Sequence, residues 1–128
     1  MEISKLVADA RSVRRFVQDT VLSTGTLREL VELARLSPSS ANRQGLKFYL
    51  GNTPEICATI FERLSWAGYL PDWPGPAEGE RPAAYIVVIG DDSLGPPREV
   101  DAGIALQSMV IGAHARGLGT CILGNVDR

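Results

Sequence analysis

Histidine, lysine and cysteine are scarce in this 128-residue chain, which has one His, two Lys and two Cys. The single histidine, His114, falls in an apolar helical stretch. A packed or interface role suits it better than a metal site or a Ser–His pair, both of which need a second group. Cys57 and Cys121 have neither metal-ligand spacing nor the density of a secreted disulfide scaffold, so buried free thiols are expected. No run approaches the roughly 20 apolar residues of a membrane span, and Met1-Glu2-Ile3-Ser4-Lys5 lacks a signal peptide's apolar core. A cytoplasmic, soluble protein is expected. Net charge is −2 with no block of one sign, which gives nucleic acid or a membrane surface no electrostatic hold. No pair of carboxylates has a spacing suited to acid–base hydrolysis, and Asp91-Asp92 reads as a turn. With so few side chains able to do difficult chemistry alone, a bound cofactor is the natural agent of any reaction. No metal site and no catalytic side chain are assigned.

The composition is that of an ordinary globular domain, 45% hydrophobic and 22% charged with a mean hydropathy of +0.02. A chain this long forms one domain, residues 1–128, burying roughly two-thirds of the surface its unfolded form exposes. Its positive charge is almost all arginine, whose planar fork grips phosphate and carboxylate through two bonds at once.

The pattern predicts helix, helix, strand, helix, strand, helix, strand. Ser4 is placed to cap a first helix running to about Ala10. Thr26-Leu27-Arg28-Glu29 has the form of a capping box, and Leu27, Leu30, Val31 and Ala34 follow at helical spacing. Pro38 stops that helix at Ser37. Lys47 to Leu50 reads as a short strand, and Thr53-Pro54-Glu55 opens a third helix with proline at its first position. Residues 66–82 are irregular and carry two tryptophans, the composition of a lid or partner-contact segment. Tyr85-Ile86-Val87-Val88-Ile89 is a continuous apolar run, the mark of a strand covered on both faces.

Residues 101–116 form the most informative helix. Ile104, Leu106, Met109, Val110 and Ile111 alternate with Gly103, Ala105, Gly112, Ala113 and Ala115, so the helix is apolar nearly all round. Cover on every side in so small a domain calls for a second subunit. Gly117 supplies a left-handed cap, and a last strand is expected over residues 120–123. The expected fold is α+β, with a mixed or antiparallel sheet and helices around this buried central helix, completed by dimerisation. Three strands are thin cover for it, and a carboxy-terminal portion is expected to be absent.

Three segments carry candidate chemistry. Arg11-Ser12-Val13-Arg14-Arg15-Phe16 sets two guanidinium groups and a hydroxyl within four residues, a workable phosphate cradle; a solvated basic helix end is the competing reading. Ser37-Pro38-Ser39-Ser40-Ala41-Asn42-Arg43-Gln44 has the composition of a tight loop, and Asn42 and Gln44 both donate and accept, as the edge of a flavin pyrimidine ring requires. An ordinary helix-to-strand connection has the same composition. Gly117-Leu118-Gly119-Thr120 follows a helix and precedes a strand-like run, the reverse of a dinucleotide-binding turn, which excludes that fold.

Together with Asp101-Ala102-Gly103-Ile104-Ala105-Leu106-Gln107-Ser108, these segments resemble the nitroreductase-like family of FMN-dependent oxidoreductases over about residues 4–127. The resemblance implies a homodimer with FMN between the subunits. It places Arg11, Ser12 and Arg14 on the phosphate and ribityl chain. The loop at Pro38, Ser39, Ser40 and Asn42, with Gln44 nearby, approaches the flavin from the partner subunit, and the backbone at Leu123 and Gly124 lies near the reactive face. The implied activity is ping-pong hydride transfer from NAD(P)H through FMN to a planar acceptor such as a nitroaromatic, quinone or enone. Trp66, Tyr69 and Trp73 then either line the substrate side or pack beneath their loop. The chain departs from the family pattern at Ala10, where a first arginine is common, and at Gly45-Leu46, where proline and an aromatic residue are common. A non-catalytic flavin-binding or dimeric module is the alternative from another class, and a specialised reductive chemistry the alternative within the family.

Overall fold

The computed structural model describes residues 2–95 and 99–128. Among these residues four α-helices and two strands occur in the order α1 (Ile3–Asp9), α2 (Thr24–Arg35), β1 (Leu46–Gly51), α3 (Pro54–Phe61), β2 (Tyr85–Gly90) and α4 (Glu99–Ala115). The fold is α+β.

The centre of the domain is the packing of α2 on α4. Leu30 and Ala34 of α2 meet Ala105, Met109 and Ala113 of α4, all buried, and Gly112 lies beneath Leu33. Small residues on α4 let the two helices approach closely. The antiparallel pair β1–β2, in register from Leu46 opposite Gly90 to Gly51 opposite Tyr85, lays Leu46, Phe48, Ile86 and Val88 over this core. Because strand side chains alternate, Tyr49, Val87 and Ile89 point to the other face and are exposed. The apolar run of β2 is therefore covered on one face of this chain, not on both.

Helix α4 also differs from the expectation of burial on every side. Asp101, Ala105, Met109, Gly112 and Ala113 are buried, whereas Gly103 and Gln107 are exposed and Val110 and Ile111 are half-buried. The residues of mixed size thus sort into one face against α2 and a second that the single chain leaves partly open.

Local chemistry explains the other boundaries. Thr53 caps α3, its hydroxyl accepting from the Ile56 amide, with Pro54 at the first helical position. Helix α2 starts a turn earlier than the capping-box pattern implies: Ser23 is the cap and accepts from the Thr26 amide. Ser23 satisfies the free donor first, and Thr26 is left inside the helix. Helix α1 is capped by the Glu2 backbone, and Ser4, inside the helix, turns its hydroxyl back to Glu2. Gly117 takes the left-handed conformation at φ 77° after α4, and the Leu118 amide returns to the Ala113 carbonyl. The last expected strand is absent among the described residues. Thr120 forms only one bridge, parallel to Ser12, because no further strand lies beside the stretch that follows. Residues 66–82 hold neither helix nor strand, as expected.

Candidate functional site

The basic segment and the glycine turn are brought side by side. Ser12 pairs with Thr120 in a parallel bridge, and the Val13 amide donates to the Thr120 carbonyl at 2.7 Å. The approach is close at position 119, where a Cβ would meet the Val13 side chain at 3.1 Å and make it give by a few tenths of an ångström. Alternation along this extended segment then presents Ser12 and Arg14 on one side and Val13 on the other.

Arg14 is held firmly. Its Nε donates to the Trp66 carbonyl at 3.0 Å, and its guanidinium lies 5.6 Å from the centre of the Tyr69 ring. Arg14 also lines an open groove of about 530 Å³, with Val7, Ala10, Arg11, Ser12 and Tyr69. Arg11 is exposed there, with no ion-pair partner among the described residues. Two guanidinium groups and a hydroxyl thus converge on one groove, the donor set of a phosphate site. A second open groove, of about 520 Å³, lies between Val13, Arg14, Arg15, Leu70 and Trp73.

The aromatic residues of the 66–82 loop take different roles. Trp66 is buried, edge-on to Phe16 at 6.2 Å and tilted against Phe61 at 6.0 Å, so it packs beneath the loop. Tyr69 and Trp73 instead line the two grooves. Gly75 sits against Trp66 at φ 98°. The loop is stitched to the basic segment: the Phe16 amide donates to the Glu80 carbonyl, and the Gln18 side-chain oxygen accepts from the amides of Gly79 and Arg81.

Leu123 and Gly124 lie between two fixed points. Thr120 is bridged to Ser12 on one side; on the other, the Ser65 amide donates to the Asn125 carbonyl and the Asp127 amide to the Arg63 carbonyl. The short stretch between them is held at both ends with Gly124 exposed beside open space.

The third segment lies elsewhere. Ser37 shares a 2.6 Å hydrogen bond with Ser108, and Ser40 donates to buried Asp101 through both its amide, at 2.8 Å, and its hydroxyl, at 2.9 Å. Ala41, Asn42 and Gln44 all have left-handed backbone near φ 52°, and they are the only non-glycine residues with positive φ among those described. Such a conformation costs roughly 1–2 kcal/mol per residue, less for Asn. Strain of this kind persists where surrounding contacts impose it, and it clusters at binding sites. The Gln44 amide donates to the Ser39 hydroxyl and its side-chain nitrogen to Asn42 Oδ1, so the two amide side chains are ordered against each other while exposed. Pro38 is exposed and Ser39 half-buried. This loop attaches to α4 at Ser108 and, through Ser40, at Asp101 near the helix start, about 18 Å along the helix at about 1.5 Å per residue from Ala113, where the glycine turn attaches. Of the predicted site residues, the chain therefore gathers Arg11, Ser12 and Arg14 beside the stretch holding Leu123 and Gly124. It sets Pro38, Ser39, Ser40, Asn42 and Gln44 at the far end of α4.

Asp101, the residue that ties down the loop, went unread as a site residue in the sequence. A carboxylate in the first turn of an otherwise apolar helix was its one visible sign. Cys57 and Cys121 are half-buried free thiols, both raised above the ordinary thiol range by burial. Among the described residues no group of three or more His, Cys, Asp or Glu is placed to hold a metal ion, and no helix is long and apolar enough to cross a membrane.

The sequence profile of the nitroreductase family matches residues 7–69 and 76–128. The chain belongs to the nitroreductase family. Its fold is that of solved nitroreductase structures. A nitroreductase family protein from Clostridium novyi NT superposes with a TM-score of 0.77 at 20% identity, over 98% of this chain and 71% of the other. A protein from Exiguobacterium sibiricum 255-15, solved in complex with FMN, gives 0.74 at 20% identity, over 98% and 76%. CLA-ER, an enone reductase of gut-bacterial fatty acid saturation, gives 0.75 at 15% identity, over 98% and 76%. The chain spans 71% to 76% of the length of these three structures. No curated protein sequence matches it. Family membership supports a flavin oxidoreductase in general terms, and the residues present fit FMN: a guanidinium-lined groove stands beside a pinned backbone stretch, and a strained loop carries an ordered amide pair.

Proposed function

We propose that this chain is an FMN-dependent oxidoreductase that takes hydride from NAD(P)H and delivers it to a planar acceptor such as a nitroaromatic, quinone or enone. The observation that carries this reading is the convergence of Arg11, Ser12 and Arg14 on one groove beside residues 121–124. In it, Arg11 and Arg14 hold the FMN phosphate, and Ser12 bonds the phosphate or ribityl chain. Bound FMN supplies the chemistry, accepting and returning hydride. The protein binds and orients. The backbone at Leu123 and Gly124, held at both ends, offers an amide to the ring, and the Asn42–Gln44 pair offers donors and acceptors to its edge. Tyr69 and Trp73 give a planar acceptor aromatic walls to stack on. No side-chain acid or base is assigned, since the reaction needs positioning above all. The structural likeness to an enone reductase supports an enone among the acceptors.

The two halves of the site lie at opposite ends of α4. This separation, and the half-buried second face of α4, support a homodimer in which each FMN takes its phosphate grip from one copy and its loop from the other. The test is FMN titration of mixed variants. Arg14→Ala and Asn42→Ala each weaken binding alone. Unfolded together and refolded as a mixture, they regain wild-type affinity at about one site per mixed dimer, because one site then draws both halves intact. If mixing restores nothing, each site is built within a single chain.

A further inference from the structure

The loop at residues 38–44 poses a physical problem. Three of its four residues from Ala41 to Gln44 are held left-handed without the freedom of glycine, and nothing within the loop's own composition imposes that shape. Inside it, the Asn42 and Arg43 amides donate to the Ser39 and Ser40 carbonyls as in an ordinary turn, and the Gln44 amide and side chain bond Ser39 and Asn42. An external restraint comes from α4. Asp101 is a carboxylate buried to 5% exposure, and one of its oxygens receives both the amide and the hydroxyl of Ser40, the residue immediately before the strained stretch. A second α4 residue on the same face, Ser108, holds Ser37 at the loop's start. The two anchors are seven residues apart, a repeat that keeps side chains on one side of a helix.

Burying a carboxylate is costly unless it is hydrogen-bonded, and here the bonds go to the loop and not to solvent. Releasing them would leave the charge unsatisfied, so the loop cannot relax its backbone without exposing or stranding Asp101. We propose that Asp101 is a positioning residue: its buried carboxylate clamps Ser40 and so fixes the left-handed conformation in which Asn42 and Gln44 are presented to the flavin. Its effect on affinity rests on the FMN reading above; its effect on the loop does not. If only a fraction of molecules hold the loop ready, the apparent FMN affinity falls by that fraction.

The experiment compares wild type with Asp101→Ala, Asp101→Asn and Ser40→Ala. Amide hydrogen exchange is measured on the protein without FMN, and FMN dissociation constants are measured alongside. Asp101→Ala should raise exchange at residues 40–44 while the α2–α4 core keeps its protection, and weaken FMN binding about tenfold or more. Asp101→Asn, which keeps a carbonyl acceptor, should recover part of both effects, and Ser40→Ala should fall between. Loop exchange that is unchanged, or that rises only in step with the whole chain, would overturn the proposal. Loosening of the loop with FMN affinity unaltered would overturn its link to the flavin. A wild type that takes up no FMN would sink the FMN reading, and the exchange data would still decide whether Asp101 holds the loop.

Discussion

Replacing Gly75 by alanine strikes a junction between packing and the phosphate groove. Gly75 has φ 98°, and a Cβ there would stand 2.6 Å from Trp66 Cδ1 and 3.0 Å from Cγ. Two costs add. The positive φ costs an L-residue roughly 1–2 kcal/mol, and overpacking against a rigid indole costs a further 1–3 kcal/mol or so. Trp66 has little room to yield, because Phe16 and Phe61 contact its ring and Arg14 bonds its carbonyl. Gly79→Ala is the control: its φ is 96°, yet nothing lies within 4 Å of the added methyl, so only the conformational cost applies. Urea denaturation should show Gly75→Ala less stable than wild type by about 2–5 kcal/mol and Gly79→Ala by about 1–2 kcal/mol. Because a shifted Trp66 carries its carbonyl away from Arg14, FMN affinity should also fall in the first variant and hold in the second. Equal stability losses in the two would refute the claim that Trp66 is rigidly seated; an unmoved FMN affinity in Gly75→Ala would refute its link to Arg14.

Arg14→Ala should weaken FMN binding by about 1.5–3 kcal/mol, the scale of hydrogen bonds to a charged group, with retention of flavin through gel filtration as the readout. Met109→Ala, emptying the buried contact between α2 and α4, should cost about 2–5 kcal/mol in urea denaturation; a loss below 1 kcal/mol would contradict the core as described. Val110→Glu places a charge on the half-buried second face of α4 and should turn the proposed dimer into a folded monomer, judged by light scattering with circular dichroism as the check on folding. Burial raises the pKa of Cys57 and Cys121, so less thiolate is present at a given pH. Alkylation should therefore run slower than for a free thiol at pH 8 and quicken only as pH climbs past the ordinary thiol range, while rates matching a model peptide would show the thiols to be solvated.

What the sequence discloses depends on how local the cause is. Thr53-Pro54, Gly117 and the strand at Leu46–Gly51 were readable because each is set by neighbours a few residues away. The start of α2 is not legible in the sequence because Ser23 and Thr26 compete for one role, and only geometry shows that Ser23 accepts the bond. The strand expected near Thr120 fails for a non-local reason: an apolar, β-branched stretch becomes a strand only when another lies beside it, and Ser12 gives one bridge. Within the candidate site, the arginine-rich segment displays its donor groups through residue type. The strain at Ala41 and Gln44 has no such sign, because neither residue type favours φ above zero, and its cause, Asp101, lies about 60 residues along the chain. Likewise Tyr69 and Trp73 share a loop with Trp66, and only the packing of Phe16 and Phe61 separates the buried ring from the two at the grooves.

The most direct measurement is a visible absorbance spectrum of the protein saturated with FMN, recorded anaerobically before and after NADH or NADPH is added. The account predicts a bound flavin band near about 450 nm that bleaches on addition of the nicotinamide and returns when a quinone, nitroaromatic or enone is supplied. A chain that takes up no FMN, or whose bound flavin neither nicotinamide reduces, would contradict it and leave a family fold without the family's redox chemistry.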